Sequence, residues 1–362
     1  MCHTRIMRTV SLPLFCCAVA FAQAPGTPDP SKIENENKIV VTTKVVIAPT
    51  TVLDRHGNYV NGLQLQDFQL FDNNKLQNIT ADVHDEPISL VVAVQKSWNL
   101  NDILPKIQRI GGLLNDLLVG QDSETAVIAF DHRIQVVQDF TTDTGKISET
   151  MKKLVPGSTQ HAVNDAVMQA IRMLNVPRTK DRRRVLLLIA EKRDKGSENH
   201  LREVLTAAEF ANVVIYSLDI SSVVAAITGT PMPPPPPSIP TTAQHVPAGA
   251  AQTPTTVGND YYNGNFIPVF VDIFKAVKSI FVDDTLDVFT RFTGGKEYGF
   301  ISEKSLEKAI EGLSQEIHSQ YLLSYSPNNL DEGGFHEIRV TVNRPQLEVR
   351  TRPGYWTAAQ AQ

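Results

Sequence analysis

The stretch Pro87-Ile-Ser-Leu-Val-Val-Ala-Val-Gln-Lys-Ser-Trp-Asn99 decides the fold predicted for this chain. Residues 90–94 are continuously apolar and mostly β-branched, which is typical of a strand that helices cover on both faces of a parallel sheet. In open sheets of this kind, ligands bind beyond the carboxyl ends of the strands. We therefore expect a functional site on the loop formed by residues 95–99.

Strand-like and helical patterns alternate after this stretch. The predicted strands cover residues 125–130, 134–140, 185–190, 213–218 and 296–300. Apolar side chains at helical spacing predict helices over residues 103–117, 163–174, 201–210, 269–292 and 306–317. The turn Asp131-His132-Arg133 lies between two of the strands and indicates a hairpin. The sequence therefore predicts a doubly wound α/β domain with a mostly parallel sheet and one antiparallel hairpin.

Further strand-like segments lie at both ends of the chain. They cover residues 39–46, 68–71, 321–325, 338–342 and 347–350. Because unpaired strand edges promote aggregation, we expect the segments before about Glu86 and after about Gln320 to pair into one flanking β-rich unit. The predicted organisation is a β-rich segment over 38–86, a central α/β domain over 87–319, and a β segment with a tail over 320–362.

The first 22 residues predict a secretory signal peptide. They combine a basic start, an apolar core over residues 10–21 and the cleavage motif Ala20-Phe21-Ala22. A polar leader with a composition typical of disorder follows over residues 23–37. All three cysteines lie within the signal, so we expect neither a disulfide nor a thiolate metal site after cleavage. The prediction is an exported protein, periplasmic or secreted, without a membrane span in the mature chain.

The composition of the chain limits the classes of partner that it can bind. With 42% hydrophobic and 20% charged residues, it is typical of a globular protein. A formal net charge of -5, without a basic patch that includes aromatic residues, indicates that nucleic acid is not a partner. Residues 229–258 are rich in proline, threonine and alanine, which predicts an exposed insertion; a proline-rich ligand for an aromatic groove is the functional alternative.

Several short motifs resemble those of a known family. They are Gly57-Asn58-Tyr59-Val60, Leu65-Gln66-Asp67-Phe68, Thr293-Gly294-Gly295, Ser319-Gln320-Tyr321-Leu322-Leu323-Ser324-Tyr325 and Arg352-Pro353-Gly354-Tyr355. The chain resembles bacterial, largely acidobacterial, proteins related to the von Willebrand factor type A domain, from about Lys38 to Trp356. This resemblance implies a von Willebrand factor A-like fold and a role as an adhesion or scaffold module that binds another protein.

The resemblance also locates a degenerate metal-ion-dependent adhesion site. In the family, an Asp-x-Ser-x-Ser loop after the first strand, a threonine and a later aspartate hold a divalent cation. The corresponding positions here are, in order, Gln95, Ser97, Asn99, His161 and Glu191. Thr159 lies close to His161 in sequence, so a shifted loop in which Thr159 takes the threonine position is an alternative. Of the five positions, only Ser97 keeps the residue of the family.

The degenerate motif predicts a site without a bound metal. A unit charge at ~4 Å from a divalent ion contributes ~8 kcal/mol at an effective dielectric constant of ~20, and the amide of Gln95 cannot supply it. Lys96 and Lys192 add positive charge, and we expect one of them to pair with Glu191, which would otherwise lie uncompensated at the strand ends. The alternative is a metal-dependent adhesion domain that binds Mg²⁺ or Mn²⁺ through Ser97, Asn99 and Glu191.

We therefore expect an exported, non-enzymatic module that binds an unidentified protein ligand at this loop edge. The loop edge comprises Gln95, Lys96, Ser97, Trp98, Asn99, His161, Glu191 and Lys192. Trp98 stands where the family usually has glycine, and it either anchors the partner or folds back over the vacated metal pocket. A serine hydrolase built on Ser97, His161 and Glu191 is a third alternative, although Ser97 lacks the G-x-S-x-G elbow that exposes a nucleophile.

Overall fold

The structure is a computed structural model that describes residues 45–82, 86–101, 103–113, 122–228, 267–275 and 282–357. The expected signal peptide at 1–22, the leader at 23–37 and the insertion at 229–258 lie outside these residues. The described strands are β1 (Val46–Asp54), β2 (Phe68–Asp72), β3 (Lys75–Gln77), β4 (Ile79–Asp82), β5 (Ile88–Gln95), β6 (Glu124–Phe130), β7 (Ile134–Thr141), β8 (Arg183–Ala190), β9 (Val213–Asp219), β10 (Glu297–Gly299), β11 (Tyr321–Tyr325), β12 (Gly334–Val342), β13 (Leu347–Thr351) and β14 (Gly354–Thr357). The described helices are α1 (Leu104–Leu113), α2 (Thr144–Lys152), α3 (Val163–Leu174), α4 (Leu201–Phe210), α5 (Ser221–Thr228), α6 (Ile267–Lys275), α7 (Thr285–Thr293) and α8 (Glu303–Ser319).

A six-stranded sheet forms the centre of the molecule, with the strand order β10-β9-β8-β5-β6-β7. Among these described strands, β7 alone runs antiparallel to its neighbour. Every residue of β5 is buried because helices cover both faces of the sheet. One apolar core includes residues of α1, α2, α5 and α8, and the other includes residues of α3, α4, α6 and α7. The predicted doubly wound α/β fold with one hairpin is confirmed.

Two four-stranded antiparallel sheets flank this domain, with the orders β13-β1-β11-β4 and β14-β12-β2-β3. The amino-terminal strands pair with carboxyl-terminal ones, since β1 pairs with β11 and β13 and β2 pairs with β12. This pairing confirms the predicted flanking β-rich unit. The first strand covers Val46–Asp54, so the strand predicted over 39–46 meets it only at its last residue, and residues 39–44 lie outside the described part.

The single helix predicted over residues 269–292 is wrong, because residues 282–284 are not helical. A new helix, α7, starts after Asp284, whose carboxylate accepts the backbone N–H of Asp287 at 3.0 Å as an N-cap. The helix ends at Thr293, and Gly294, with φ +82°, forms its left-handed C-cap.

A buried carboxylate joins the central domain to the flanking strands. Glu316 on α8 is only 1% exposed, and it accepts hydrogen bonds from the hydroxyl groups of Thr51 at 2.6 Å and Tyr59 at 2.8 Å. Arg350 on β13 donates to the same carboxylate. Burial and then the neighbouring Glu316 raise the pKa of Tyr59 to about 12. These contacts fix α8 against β1 and β13.

Asp72, at the end of β2, is the centre of a buried polar cluster. Its Oδ2 accepts hydrogen bonds from the hydroxyl groups of Tyr355 at 2.8 Å and Tyr325 at 2.9 Å. Its Oδ1 lies 2.7 Å from Nδ1 of His336 and accepts from Nδ2 of Asn329 at 3.0 Å. Burial alone would raise the pKa of Asp72, but these partners outweigh burial and lower it.

We expect Asp72→Ala to lower the free energy of unfolding by ~3–5 kcal/mol, because it leaves several buried polar groups without their acceptor. The exposed Asp331 in the same β-rich unit supplies the control, since Asp331→Ala should change stability by less than ~0.5 kcal/mol. Urea unfolding of both variants and the wild type measures the difference. Equal stabilities of the two variants would contradict the role given to Asp72.

Candidate functional site

The loop edge lies at the carboxyl ends of the central parallel strands. The chain leaves β5 at Gln95 and enters the 3-10 turn Trp98–Leu100. The loop after β8 packs on the loop before α3, because His161 and Lys195 form an isolated β-bridge. Asp194 strengthens this contact, since its Oδ1 accepts the first backbone N–H of α3 at 2.7 Å.

The side-chain amide of Gln95 connects the ends of β5 and β8. Its Nε2 donates to Oγ of Ser97 at 2.5 Å and to Oε2 of Glu191 at 2.8 Å. Its Oε1 accepts the backbone N–H of Glu191 at 2.8 Å. Gln95 and Ser97 are both fully buried. The amide therefore satisfies the two oxygen atoms that the motif would otherwise offer to a cation.

The residues at this edge do not fit Mg²⁺, which requires oxygen ligands at ~2.1 Å in near-octahedral geometry. Gln95 directs N–H groups, not oxygen atoms, at the Ser97 hydroxyl and the Glu191 carboxylate. In the part of the chain that the structure describes, no three His, Cys, Asp or Glu residues are grouped to hold a metal ion.

His161 is buried beside Glu191 and has one ring nitrogen bonded. Its Nε2 donates to the carbonyl oxygen of Arg193 at 2.9 Å. Its Nδ1 lies 3.8 Å from Oε2 of Glu191 and has no hydrogen-bond partner among the described residues. Burial lowers the pKa of His161, and the charge of Glu191 opposes this shift only in part. A neutral ring with an Nδ1 lone pair is therefore favoured at neutral pH.

Lys96 pairs with a carboxylate that the motif does not include. Its Nζ lies 3.5 Å from Oδ2 of Asp131, which follows β6 and is fully buried. Asp131 also accepts the backbone N–H groups of Arg133 at 2.7 Å and Ser158 at 2.9 Å. Burial would raise the pKa of Asp131, but the two N–H donors and then Lys96 lower it to about 2. The position of Asp131 directly after a buried strand was the sequence signal for this role.

Lys192 lies among three carboxylates at the ends of neighbouring elements. Its Nζ is 2.5 Å from Asp284, 2.9 Å from Glu297 and 3.9 Å from Asp219. Burial raises the pKa of Glu297 to about 7, with a further contribution from Asp284. The carboxylates raise the pKa of Lys192 although burial alone would lower it. This cluster joins the carboxyl ends of β8 and β9 to the start of β10 and the start of α7.

The predicted pairing of Lys96 or Lys192 with Glu191 is therefore wrong among the described side chains. Gln95 supplies Glu191 with a hydrogen-bond donor, and each lysine reaches a carboxylate on another element. Asp131 was marked only by its position after a buried strand, and the carboxylates around Lys192 belong to no motif, so no signal in the sequence indicated which lysine meets which carboxylate.

Trp98 is 63% exposed, so it does not fold back over the vacated pocket. Its backbone N–H donates to the carbonyl oxygen of Ser158 at 2.8 Å, which holds the loop after β5 against the loop before α3. Val155 on the latter loop is 67% exposed. Asn99 lies in the turn Trp98–Leu100, and its side chain is outside the described part.

A mostly parallel six-stranded sheet with one antiparallel edge strand and a loop site beyond β5 and β8 defines a von Willebrand factor A-like domain. Residues 101–193 match the family model described as the von Willebrand factor type A domain. A comparison with curated protein sequences finds no match. No helix among the described residues has the length and apolar character needed to cross a bilayer.

Similar solved structures include BatB, a conserved hypothetical protein from Bacteroides thetaiotaomicron, with 16% identity, coverage of 64% of this chain and 97% of that chain, and a TM-score of 0.40. An aerotolerance-related membrane protein from Bacteroides fragilis is 13% identical; the match covers 63% of this chain and 99% of that chain, with a TM-score of 0.39. Proximal thread matrix protein 1 from the mussel byssus, with zinc in its adhesion-site motif, is 13% identical; the match covers 69% of this chain and 50% of that chain, with a TM-score of 0.41.

We expect Asp131 to stabilise the folded chain above pH ~4 and to lose this effect as the pH falls toward 2, because its pKa of about 2 in the folded state lies below the unfolded value of ~3.9. The difference in unfolding free energy between the wild type and Asp131→Asn should shrink by ~2 kcal/mol between pH 5 and pH 2. Urea unfolding across this range measures it, with the exposed Asp139→Asn as the control. A difference that stays constant with pH would refute the assignment.

Proposed function

We propose that this chain is an exported, non-enzymatic module that binds a protein ligand through its loop edge without a divalent cation. The observation that carries the proposal is the amide of Gln95, which bonds both Ser97 and Glu191. A cation at this position would have to break those hydrogen bonds and would gain no carboxylate from β5. Recognition would therefore depend on the loop surface itself.

The exposed side chains of Trp98 and Val155 supply the apolar part of that surface. Large aromatic side chains often contribute most of the energy of a protein interface when a partner pocket covers them. Lys96 and Asn99 lie on the loop that carries Trp98, and Lys192 lies on the loop after β8. We propose that Trp98 is the anchor of the partner. Gln95, Ser97 and His161 were predicted in the binding edge, but they are fully buried and support the loops from beneath.

The loop that carries Trp98 is held in place before any partner binds. The backbone of Lys96 donates to the carbonyl of Phe130 at 2.8 Å and accepts the N–H of Gly157 at 2.5 Å. Trp98 is bonded in turn to Ser158. A loop fixed in this way loses little conformational entropy on association, which favours its use as a binding surface.

The geometry favours a non-enzymatic role. Ser97 is fully buried and its hydroxyl is bonded to Gln95, whereas a nucleophile has to be accessible and close to a general base. The ring nitrogens of His161 face Arg193 and Glu191. These contacts argue against the serine hydrolase alternative.

One observation favours the alternative of a metal-dependent adhesion domain. The Nδ1 lone pair of His161 and Oε2 of Glu191 lie 3.8 Å apart, and imidazole with carboxylate is a donor pair that suits Mn²⁺ or Zn²⁺ better than Mg²⁺. This alternative requires the amide of Gln95 to move away from Glu191. A titration separates it from the proposal.

We expect calorimetric titration of the wild type with Mg²⁺ or Mn²⁺ to give no saturable heat at millimolar concentrations. The combined variant Gln95→Asp, Asn99→Ser, His161→Thr and Glu191→Asp should bind Mg²⁺, because it restores the carboxylates and releases the Ser97 hydroxyl. No change at Lys96 or Lys192 should be needed, since both ammonium groups are paired elsewhere. Adding Ser97→Ala should abolish the new binding. Saturable binding by the wild type would instead support the metal-dependent alternative.

We expect the chain from Gln23 onward, immobilised, to capture a protein from the cell envelope of its own organism equally well with and without EDTA. Trp98→Ala should reduce capture ~10-fold or more, because it removes the proposed anchor. Phe210→Ala, which truncates a 68% exposed aromatic residue on α4, is the matched control and should change nothing. Capture that Trp98→Ala leaves intact, or that EDTA abolishes, would count against the proposal.

A further inference from the structure

A cavity of about 350 Å³ lies at the end of the central sheet opposite the loop edge. Arg183 and Val185 at the start of β8 line it, as does Val214 at the start of β9. Its other wall comes from β1 and β11, through Ile47 and Leu322. The eight residues of β8 span ~25 Å, so the cavity is separate from the site at Glu191.

The lining of this cavity is strongly cationic. Among the described residues it includes five basic side chains and two carboxylates, an excess of three formal positive charges. The basic residues are Lys180, Arg182, Arg183, Arg184 and Arg352. One of the carboxylates belongs to Glu86, whose pKa is raised by burial and by the neighbouring Asp181.

Arg352 is the most buried of these basic residues, with only 4% exposure. Its Nε donates to the carbonyl of Gly354 at 3.0 Å and its Nη1 to the carbonyl of Ile47 at 3.3 Å. Its Nη2 has no hydrogen-bond partner in the described part of the chain. Burial lowers the pKa of Arg352, and the charge of Glu209 offsets this only in part. A buried guanidinium with a spare donor is complementary to an oxyanion.

The neighbouring Arg184 is also bonded to neutral acceptors. It donates to the carbonyl groups of Thr179 at 3.2 Å and Ala211 at 2.8 Å, and to Oδ1 of Asn175 at 3.2 Å. Amide oxygens satisfy its N–H groups without neutralising its charge, and burial lowers its pKa. The charge of Arg184 therefore persists in the folded chain, whereas Arg182 lies 3.8 Å from the carboxylate of Glu124.

Apolar side chains complete the lining, among them Val45, Val185, Val214, Phe292 and Leu322. A volume of this size with a mainly apolar wall and a few convergent polar groups is typical of small-molecule sites. We propose that the cavity binds a small organic anion, a carboxylate or phosphate ester with an apolar body, whose oxyanion accepts a hydrogen bond from Nη2 of Arg352. This site is independent of the proposed function of the loop edge.

Calorimetric titration of the full folded chain at low ionic strength tests the proposal with octanoate and octyl phosphate as probes. We expect saturable binding of at least one of them, and the comparison identifies the preferred head group. Octan-1-ol, which lacks the charge, and inorganic phosphate, which lacks the apolar body, should bind at least tenfold more weakly. Failure of both anionic probes to bind, or equal binding of octan-1-ol, would overturn the proposal.

Variants locate the binding in this cavity. Arg352→Met should weaken the preferred probe at least tenfold, because it removes both the charge and the spare donor. If Arg352→Met does not fold, Lys180→Glu tests the location instead, since Lys180 is an exposed residue of the cavity lining. This variant should weaken binding of the probe about threefold or more. Lys152→Glu on α2, outside the cavity lining, is the charge-matched control and should have no effect. Unchanged affinity in a folded Arg352→Met, or in Lys180→Glu, would overturn the proposal.

Discussion

The burial of β5 on both faces is the constraint on which the loop edge depends. Because the strand is enclosed, its last side chain, that of Gln95, is buried, and each of its polar atoms needs a hydrogen-bond partner. The carboxamide meets this need with two donors and one acceptor, which bond Ser97 and Glu191. A neutral side chain thus makes the connection between the ends of β5 and β8.

Ion pairs outside the motif predicted from the sequence hold the surrounding loops. Asp131 binds Lys96 and the backbone of the loop before α3, and Lys192 draws together carboxylates at the ends of β9, β10 and the start of α7. Both ammonium groups are therefore engaged within the chain. In the proposed function, the surface left for a partner is the exposed apolar side chain of Trp98 with its neighbours. A carboxylate from the partner would find no ion to coordinate.

The central fold followed from the sequence because its strands are long apolar runs and its helices keep a regular apolar spacing. The first flanking strand was predicted to end at Val46, whereas β1 continues to Asp54. Pro49, Thr50 and Thr51 interrupt the apolar pattern that the prediction followed. Pro49 is tolerated since β13 pairs with β1 only from Thr50 onward. The break before α7 was missed because apolar spacing continues across Val282, although Asp284 is a good N-cap residue.

Which residues belong to the loop edge could be predicted only from their positions in the motif of the resembling family. The contacts among those residues could not be predicted. Which lysine meets which carboxylate depends on side chains that tertiary folding brings together, and neither spacing nor propensity encodes them. The tautomer of His161 likewise depends on the carbonyl of Arg193, a contact that the β-bridge to Lys195 creates.

A crystal structure of the wild type grown with excess Mn²⁺, with anomalous diffraction data, distinguishes the amide bridge of Gln95 from a bound cation. We expect no anomalous peak beside Ser97, and an amide of Gln95 within hydrogen-bond distance of both the Ser97 hydroxyl and the Glu191 carboxylate. An Mn²⁺ ion bound by Ser97, His161 or Glu191, with the amide of Gln95 displaced, would contradict this expectation.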